Sequence, residues 1–268
     1  MVLHQEAAEV LHGEGGMRLR VVMDLEGAPV SWSMGMDEAM LELRLQDRIP
    51  DTLRLYVIKP SAVTIGYFQK VEESVDLGYA SSRGIDVTRR ISGGGSVYHD
   101  ASGEVTYGIV LPARGVFSDV RESYEAICRG LVESLRILGV DAAFAPVNDI
   151  VVNGRKISGS AQARRKGFLL QHGTMMYATD LDEASRVLRA PQAKLQAKGV
   201  RSIRERVVTL REALQRDIDK RDVAEAMVKG FAKALGAEVF LDEYREDELK
   251  LAEELSLKYR SSEWVFKR

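Results

Sequence analysis

The stretch RRISGGGSVYHD, residues 89–100, places two arginines directly before three consecutive glycines. Glycine tolerates positive φ and lets a ligand approach the main chain, and successive backbone N–H groups in such a turn can form an anion-binding nest. The stretch has neither the Lys-Ser or Lys-Thr pair of a Walker A loop nor a Gly-x-Gly-x-x-Gly pattern. A flexible surface turn is the simpler interpretation. The flanking arginines favour an anion site.

Strand and helix patterns alternate on both sides of the glycine run. Segments rich in β-branched and aromatic residues, bounded by turn chemistry, predict strands at 18–25, 52–59, 85–90, 105–111, 149–152 and 166–177. The clearest helix is 121–138, where apolar residues recur every three or four positions. Weaker helical patterns cover 34–48, 180–189, 221–235 and 244–259. The predicted fold class is α/β or α+β.

A hairpin is predicted within NDIVVNGRKISGSAQARRKGFLLQHG, residues 148–173. Asn153-Gly154 lies between two β-rich runs, which is a strong signal for a two-residue type I′ turn. Such a turn pairs Val152 with Arg155 and, one step further, Val151 with Lys156.

Strand alternation from that register predicts a polar face around Lys156. It places Lys156, Ser158 and Ser160 on one side of the sheet, with Asp149 diagonal to the lysine. Residues 150–179 contain five basic residues and no acid, whereas the whole chain is nearly balanced. A solvated basic surface is the alternative. For Lys156, among glycines and serines, we favour an anion-binding role.

Composition limits the classes of partner and compartment. The 268 residues contain 38 Lys+Arg and 40 Asp+Glu, a net charge of -2, so nucleic acid and anionic membranes are not expected partners. A single cysteine excludes an internal disulfide framework and fits a reducing compartment. No apolar run approaches the roughly 20 residues of a membrane span. We therefore predict a cytoplasmic protein.

The predicted domain organisation has one main unit. Residues 1–17 read as a leader of unknown role, without the basic region of a secretory signal. Residues 18–268 form the domain. Its last portion, about 191–268, is predicted to be helical because the pattern becomes highly charged near 191–220.

Four stretches, in order and over roughly residues 34–266, resemble the lipoate-protein ligases, within the superfamily of biotin ligases and octanoyltransferases. They are SAVTIGYFQ (61–69), RRISGGGSVYHD, NDIVVNGRKISGSAQ (148–162) and LQHGTMMY (170–177). The resemblance implies a biotin/lipoate ligase-like catalytic domain, a mixed β-sheet flanked by helices. It also implies an activity in which lipoate and ATP give lipoyl-AMP, and the lipoyl group then passes to a lysine of a lipoyl domain.

The resemblance also implies roles for residues. Lys156 matches the lysine that contacts the phosphate and the acyl carbonyl, and Arg89 matches an arginine that contacts the nucleotide. A backbone cradle for the nucleotide corresponds to Gly94, Gly95, Ser96 and Val97. Weaker candidates are Gly93, His99, Asp149, Ser158 and His172. Candidates for the acyl slot are Val63, Ile65, Tyr67 and Phe68, for each of which core packing is the alternative.

The expected cofactors and partners follow from the same resemblance. ATP and lipoate are the substrates, and Mg²⁺ would bridge the phosphates rather than bind to the protein alone, since two histidines without a third ligand make a poor metal site. The acceptors would be apo lipoyl domains of 2-oxoacid dehydrogenase complexes or the glycine cleavage H protein. The final stretch KYRSSEWVFKR (258–268) resembles the end of the catalytic part of split ligases. We therefore predict no large accessory C-terminal domain and a separate accessory subunit for adenylation.

Two other functions stay open from the sequence. An octanoyltransferase dependent on acyl carrier protein needs an exposed, activated thiol. The only cysteine, Cys128, lies beside the apolar stripe of helix 121–138, so burial is favoured, and the transferase cysteine aligns nearer Ala143. Gly95 also follows the ligase pattern, where transferases tend to carry arginine. The third function, a non-catalytic lipoyl- or adenylate-binding protein, is disfavoured by Lys156 and the complete glycine run.

Overall fold

The computed structural model describes residues 16–189 and 203–268. Its strands are β1 Met17–Ala28, β2 Thr52–Ile58, β3 Ala62–Ile65, β4 Asp86–Arg89, β5 Val97–His99, β6 Glu104–Pro112, β7 Ala143–Ala145, β8 Asp149–Val152, β9 Arg155–Arg165, β10 Phe168–Met176 and β11 Ala237–Leu241. The main sheet has eight strands in the order β11-β1-β2-β6-β10-β9-β8-β7, and a smaller sheet has the order β4-β3-β5.

The main sheet is mixed. Strand β1 runs parallel to both β2 and β11, whereas the pairs from β2 to β7 are antiparallel. This confirms the predicted fold class. The strands that the pattern missed are mostly short: β3, β5, β7 and β11 have three to five residues each, too few for alternation to stand out.

Helices cover both faces of the main sheet, and others pack against the smaller sheet. They are α1 Val30–Leu45, α2 Val71–Ser74, α3 Leu77–Ser82, α4 Val120–Ile137, α5 Leu181–Val187, α6 Ile203–Arg206, α7 Leu210–Leu214, α8 Lys220–Leu235, α9 Glu246–Arg260 and α10 Ser262–Val265. Helices α4 and α8 pack on each other and on one face, and α1 and α9 pack on each other and on the opposite face. The predicted helix 121–138 is confirmed to within one residue as α4. The carboxylate of its N-cap residue, Asp119, accepts hydrogen bonds from the amides of residues 121 and 122.

The chain after residue 202 is integrated into this architecture. Helix α8 packs on α4, β11 extends the sheet, and α9 packs along α1. Residues 1–15 of the predicted leader, and residues 190–202 around the start of the predicted helical portion, lie outside the described residues. Across 16–189 and 203–268, no helix is both long and apolar enough to cross a membrane.

A buried ion pair joins the last long helix to the first strand. The Arg20 side chain, on β1, is fully buried and makes a bidentate contact with the fully buried carboxylate of Glu248 on α9, with 2.9 Å between Nη1 and Oε2. The Arg20 Nε donates to the Thr52 hydroxyl at 3.1 Å. This pair anchors α9 although 228 residues separate its members.

Glu248→Ala should therefore destabilise the whole domain. Removal of one member of a buried pair leaves a desolvated guanidinium, which typically costs about 3 to 5 kcal/mol of unfolding free energy. Urea denaturation followed by circular dichroism measures this loss. Glu246→Ala, at an exposed position of the same helical turn, is the matched control and should change stability by less than about 0.5 kcal/mol. Equal stability of the two variants would contradict the anchoring role.

Candidate functional site

The glycine loop, residues 90–96, connects β4 to β5 across the end of β3. Gly66, directly after β3, allows the loop to approach closely. A Cβ at this position would lie 2.9 Å from the carbonyl carbon of Gly94 and 3.1 Å from that of Gly93. The Tyr67 amide donates to the Ser92 carbonyl at 2.8 Å. Gly66 is not among the predicted site residues, although it lies within the stretch 61–69 that carries part of the resemblance.

The loop presents unused backbone donors to its surroundings. Within the described part of the chain, none of the N–H groups of residues 93–96 donates a hydrogen bond. Gly94 and Gly95 are exposed. Gly94 has φ +90°, and a Cβ there would lie 3.0 Å from Arg90 Nη2, whereas a Cβ on Gly95 would meet no atom within 4 Å. The backbone conformation at position 94 therefore requires glycine. The space next to the Cα of Gly95 is open to a ligand.

Arg90 fixes the loop from inside. Its Nη2 donates to the carbonyls of Gly93 and Gly95 at 2.7 and 2.6 Å, and its Nη1 to the carbonyl of Thr64 at 3.2 Å. Burial lowers the pKa of the Arg90 guanidinium to about 10, so it stays protonated at neutral pH. None of the ion pairs among the described residues includes this side chain. The buried charge therefore lies directly under the unused amides.

The structure gives Arg89 a different environment from the predicted nucleotide contact. Its side chain is fully buried, and its Nη1 donates to the carbonyls of Tyr67 and Gln69 at 2.9 and 2.6 Å. Its Nη2 donates to the Val265 carbonyl at 2.7 Å, and the Trp264 indole donates to the Arg89 carbonyl at 2.6 Å. Arg89 thus holds the turn after β3 against α10. Its contact with a nucleotide stays a prediction.

The hairpin between β8 and β9 has the predicted register at its turn but not beyond it. Val152 pairs with Arg155 and Val151 with Lys156 as predicted, and a bulge then makes Ile150 pair with Ser158. Because the bulge inserts an extra residue, the predicted shared face of Lys156, Ser158 and Ser160 is wrong.

The side chains show the resulting arrangement. The end of Lys156 lies where a Cβ on Gly159 would be. Ser158 is fully buried on the side of its partner Ile150, a member of the α4 core, and the Ser160 hydroxyl contacts the Tyr107 hydroxyl at 2.7 Å in the same core. Lys156 therefore faces away from both serines. The face it shares with Gly159 continues to Ala161, whose Cβ would be 3.7 Å from a Cβ on Gly94 of the glycine loop.

Asp149 holds Lys156 in place. Its Oδ1 lies 2.6 Å from Lys156 Nζ, which confirms the predicted diagonal contact. Its Oδ2 accepts from Arg206 Nη2 at 3.2 Å. Arg206 lies 57 residues away in sequence, and no local pattern pointed to it. One carboxylate thus brings two cations to the same place.

The two candidate histidines are buried in separate hydrogen-bond networks. His99 contacts Glu104 Oε1 through Nδ1 at 2.7 Å and the Thr64 hydroxyl through Nε2 at 2.9 Å, which joins β5 to its neighbours. His172 contacts Asp37 Oδ2 through Nδ1 at 2.7 Å and the Ser92 hydroxyl through Nε2 at 2.6 Å. His172 alone of the two therefore touches the glycine loop.

The other arginines of the 150–179 window have internal partners, and Arg155 donates to the Val207 carbonyl. Arg164 donates to the carbonyls of residues 117–119 before α4, and Arg165 pairs with Glu42 and Glu38 on α1. Among the acyl-slot candidates, Val63 and Ile65 are fully buried in the core under the small sheet, whereas Phe68 is 71% exposed beside Gly93. The site is thus formed by the glycine loop, Lys156, Asp149 and Arg206, with Phe68 at its edge.

A family model described as the lipoyl protein ligase A/B catalytic domain matches residues 29–232. The chain belongs to this family. The resemblance predicted from the four sequence stretches is therefore confirmed.

Relatives with different names each share about a third of their residues with the chain. The octanoyltransferase LipM of Kyrpidia tusciae is 36% identical over 262 residues, 89% of this chain and 95% of the relative. A chain from the structural analysis of the bi-partite lipoate protein ligase of Thermoplasma acidophilum and its E2 lipoyl domain is 35% identical with a TM-score of 0.79, covering 94% of this chain and 96% of that one. A lipoate-protein ligase A bound with ATP is 34% identical, also with a TM-score of 0.79, covering 94% and 98%.

No group of three His, Cys, Asp or Glu side chains that could hold a metal ion occurs within residues 16–189 and 203–268. In this lipoyl ligase family member the acidic group at the site, Asp149, already contacts Lys156 and Arg206. The donors at the site therefore suit anions, and a Mg²⁺ ion would depend on substrate phosphates for its ligands.

The only cysteine of this family member is buried in the core. The Cys128 Sγ lies 3.6 Å from both Ser160 Oγ and Gln171 Nε2, on the α4 side of the sheet, and the side chain is fully buried, as predicted. Burial raises the pKa of the thiol to about 11. Ser160 and Gly159 are neighbours on β9 and point to opposite faces. Cys128 and Lys156 are therefore on opposite sides of the sheet.

Cys128 should react slowly with iodoacetamide in the folded protein. At pH 8 a pKa of about 11 leaves roughly 100-fold less thiolate than in an unfolded chain, and burial slows the reaction further. Mass spectrometry of alkylated protein with and without urea measures the two rates. An Ala143→Cys, Cys128→Ser variant, with its thiol at an exposed position, is the control and should react fast while folded. Equally fast native labelling of Cys128 would contradict its burial.

Proposed function

We propose that this protein is the catalytic part of an ATP-dependent lipoate-protein ligase. It joins lipoate to AMP with release of pyrophosphate and then transfers the lipoyl group to a lysine of an apo lipoyl domain. The acceptors are the lipoyl domains of 2-oxoacid dehydrogenase complexes or the H protein of glycine cleavage. The observation that carries the proposal is the position of the single thiol, which lies across the sheet from the glycine loop and Lys156.

The first step brings a carboxylate to the α-phosphorus of ATP. A bond forms between the carboxylate oxygen and phosphorus, and the bond to the β-phosphate oxygen breaks, so pyrophosphate leaves with its electron pair. Both reactants are anions, and catalysis must therefore come from positioning and charge neutralisation. The unused amides of residues 93–96 and the buried Arg90 would receive the nucleotide phosphates. Mg²⁺, when bound, would supply additional neutralisation of the phosphates.

Lys156 is suited to both steps. Its Nζ is held 2.6 Å from the Asp149 carboxylate, on the face of β9 that continues to the glycine loop. There it can neutralise charge on the α-phosphate in the first step. In the second step it can polarise the acyl carbonyl while the amine of the acceptor lysine attacks, AMP leaves, and the amine proton passes to solvent. Arg206, on the other oxygen of Asp149, adds a second positive charge.

The alternative is an octanoyltransferase, and the named relatives support it. Octanoyltransferases LipM from several bacteria share about a third of their residues with this chain, so identity alone does not separate the two reactions. Thioester transfer requires a thiol near the lysine. The strand register puts Ala143, Val151 and Lys156 side by side on one face. The position nearest the transferase cysteine therefore faces the site but carries a methyl group.

An acceptor assay should separate the two functions. Apo lipoyl domain is incubated with the protein and one of four donors: lipoate plus ATP, octanoate plus ATP, lipoyl-AMP, or octanoyl carrier protein without ATP. We expect rapid lipoylation from lipoyl-AMP and none from the carrier protein. We expect little product from lipoate plus ATP until the accessory subunit of a bi-partite ligase from the same genome is added, by analogy with the Thermoplasma relative.

Each outcome has a defined meaning. Transfer from octanoyl carrier protein without ATP, retained in a Cys128→Ser control, would establish a transferase with another nucleophile. Full lipoylation from lipoate and ATP by the isolated chain would support the ligase function and show that no accessory subunit is required. Binding of lipoyl-AMP without transfer would leave a binding protein.

Lys156→Ala should slow both steps without unfolding the protein. Loss of one donor to a developing charge typically raises a barrier by about 2 to 4 kcal/mol, or roughly 30- to 1000-fold in rate. Pyrophosphate release and single-turnover transfer from lipoyl-AMP measure the two steps. Lys166→Ala, at the exposed turn between β9 and β10, is the matched control with an unchanged rate. A Lys156→Ala rate within twofold of the control would remove Lys156 from the mechanism.

A further inference from the structure

A chain of buried polar side chains ends at the glycine loop. Asp37 on α1 contacts His172 on β10, His172 contacts Ser92 Oγ at 2.6 Å, and Arg90 Nε donates to the same oxygen at 3.1 Å. All four residues are at most 5% exposed. The family resemblance gives His172 only as a weak candidate and gives no role to Asp37, Ser92 or Arg90.

The partners of Asp37 set the direction of the hydrogen bonds at this end of the chain. The carboxylate of Asp37 accepts from Arg54 Nη1 at 3.1 Å and from the Tyr56 hydroxyl at 2.9 Å. Burial and the Asp37 charge raise the pKa of Tyr56 well above its usual value, so its hydroxyl stays a donor. His172 then donates from Nδ1 to Asp37, and in the ring form with a single N–H its Nε2 is an acceptor.

The remaining bonds follow without conflict. Ser92 donates its hydroxyl proton to His172 Nε2, and its oxygen accepts from Arg90, which has no acceptor of its own. Hydrogen-bond donation thus runs in one direction through these side chains, from Arg90 to Asp37. Gly108 on β6 leaves the room for its last member, because a Cβ there would lie 2.9 Å from Asp37 Oδ1.

This Asp-His-Ser geometry is similar to that of a hydrolytic triad, but the serine cannot act as a nucleophile here. Ser92 is fully buried, and its oxygen is already engaged by Arg90 and His172. A nucleophilic hydroxyl needs an approach path for the substrate. The serine instead links two buried groups.

We propose that Asp37, His172 and Ser92 are positioning residues that orient Arg90 and, through it, the glycine loop. Arg90 is the group that holds the carbonyls of Gly93 and Gly95 inward, which leaves the amides of residues 93–96 for a ligand. Without the Ser92 hydroxyl, Arg90 Nε and His172 Nε2 both lose their partners inside the protein. The loop would then sample conformations in which its amides no longer converge on a phosphate. This inference rests on the proposed nucleotide-binding role of the loop.

Ser92→Ala removes only the linking oxygen and is the test variant. Nucleotide affinity, measured by calorimetry with ATP or lipoyl-AMP, should fall by roughly 10- to 100-fold, and Ser92→Thr should recover part of it. The matched control is Ser134→Ala, which deletes another fully buried hydroxyl, bonded to the Gly130 carbonyl within α4. Its affinity should equal that of the native chain.

Two readouts do not depend on ATP. Nitrogen-15 NMR of the imidazole, assigned with His172→Gln, should show a protonated Nδ1 and an unprotonated Nε2 in the native protein. Hydrogen exchange at the Tyr67 amide, which donates to the Ser92 carbonyl, should accelerate in Ser92→Ala and not in Ser134→Ala.

The outcomes separate this inference from the proposed function. A protonated Nε2, unchanged Tyr67 exchange in Ser92→Ala, or covalent labelling of Ser92 by a fluorophosphonate would overturn the positioning role. A native chain that binds neither ATP nor lipoyl-AMP, with the expected tautomer and exchange pattern, would overturn the proposed function and leave the positioning of the loop intact. Equal losses of nucleotide affinity in Ser92→Ala and Ser134→Ala would mean that general destabilisation causes the loss, and would overturn the positioning role.

Discussion

Two adjacent guanidinium groups, those of Arg89 and Arg90, are buried with carbonyl oxygens as their main partners. Burial of a charge costs several kcal/mol unless hydrogen bonds compensate for the lost water. Arg89 obtains them from the turn after β3 and from α10, and Arg90 from the glycine loop. These segments therefore depend on one another, because hydrogen bonds from the two arginines hold their carbonyl oxygens in place. The same two charges create a positive potential at the loop, whose exposed side carries unused amides.

The sequence predicts the local parts of this arrangement and not the long-range ones. The glycine run, the helix 121–138 and the turn at Asn153-Gly154 follow from propensity and spacing, and each is present in the structure. The bulge after Lys156 has no sequence signal, so alternation assigned Ser158 to the wrong face. Arg206 and the Val265 carbonyl meet their partners from 57 and 176 residues away, a distance over which periodicity carries no information.

The site also shows why a matched motif does not fix the role of each residue in it. Arg89 and Arg90 are neighbours in one motif, yet strand alternation sends their side chains to different environments. Arg89 binds backbone at the C-terminal helix, and Arg90 joins the chain that leads to Asp37. His99 and His172 differ in the same way: one connects strands and the other touches the loop. Burial of Cys128 was predictable because its helix has a regular apolar stripe, which extends through that position.

The alignment of Ala143, Val151 and Lys156 across three strands bears on how the two reactions of this family are related. Side chains at the aligned positions on β7 and β9, which lie on either side of β8, are separated by about 10 Å, two strand spacings. A cysteine at residue 143 would therefore enter the site on an existing strand, next to an existing lysine, with no change in backbone or topology. Under the proposed function, this chain and a transferase that works through a thioester would differ at the site by side-chain substitutions at the edge of a sheet. Relatives named as an octanoyltransferase and as a lipoate protein ligase are 36% and 35% identical to this chain, and a difference confined to so few positions would leave the overall identity almost unchanged.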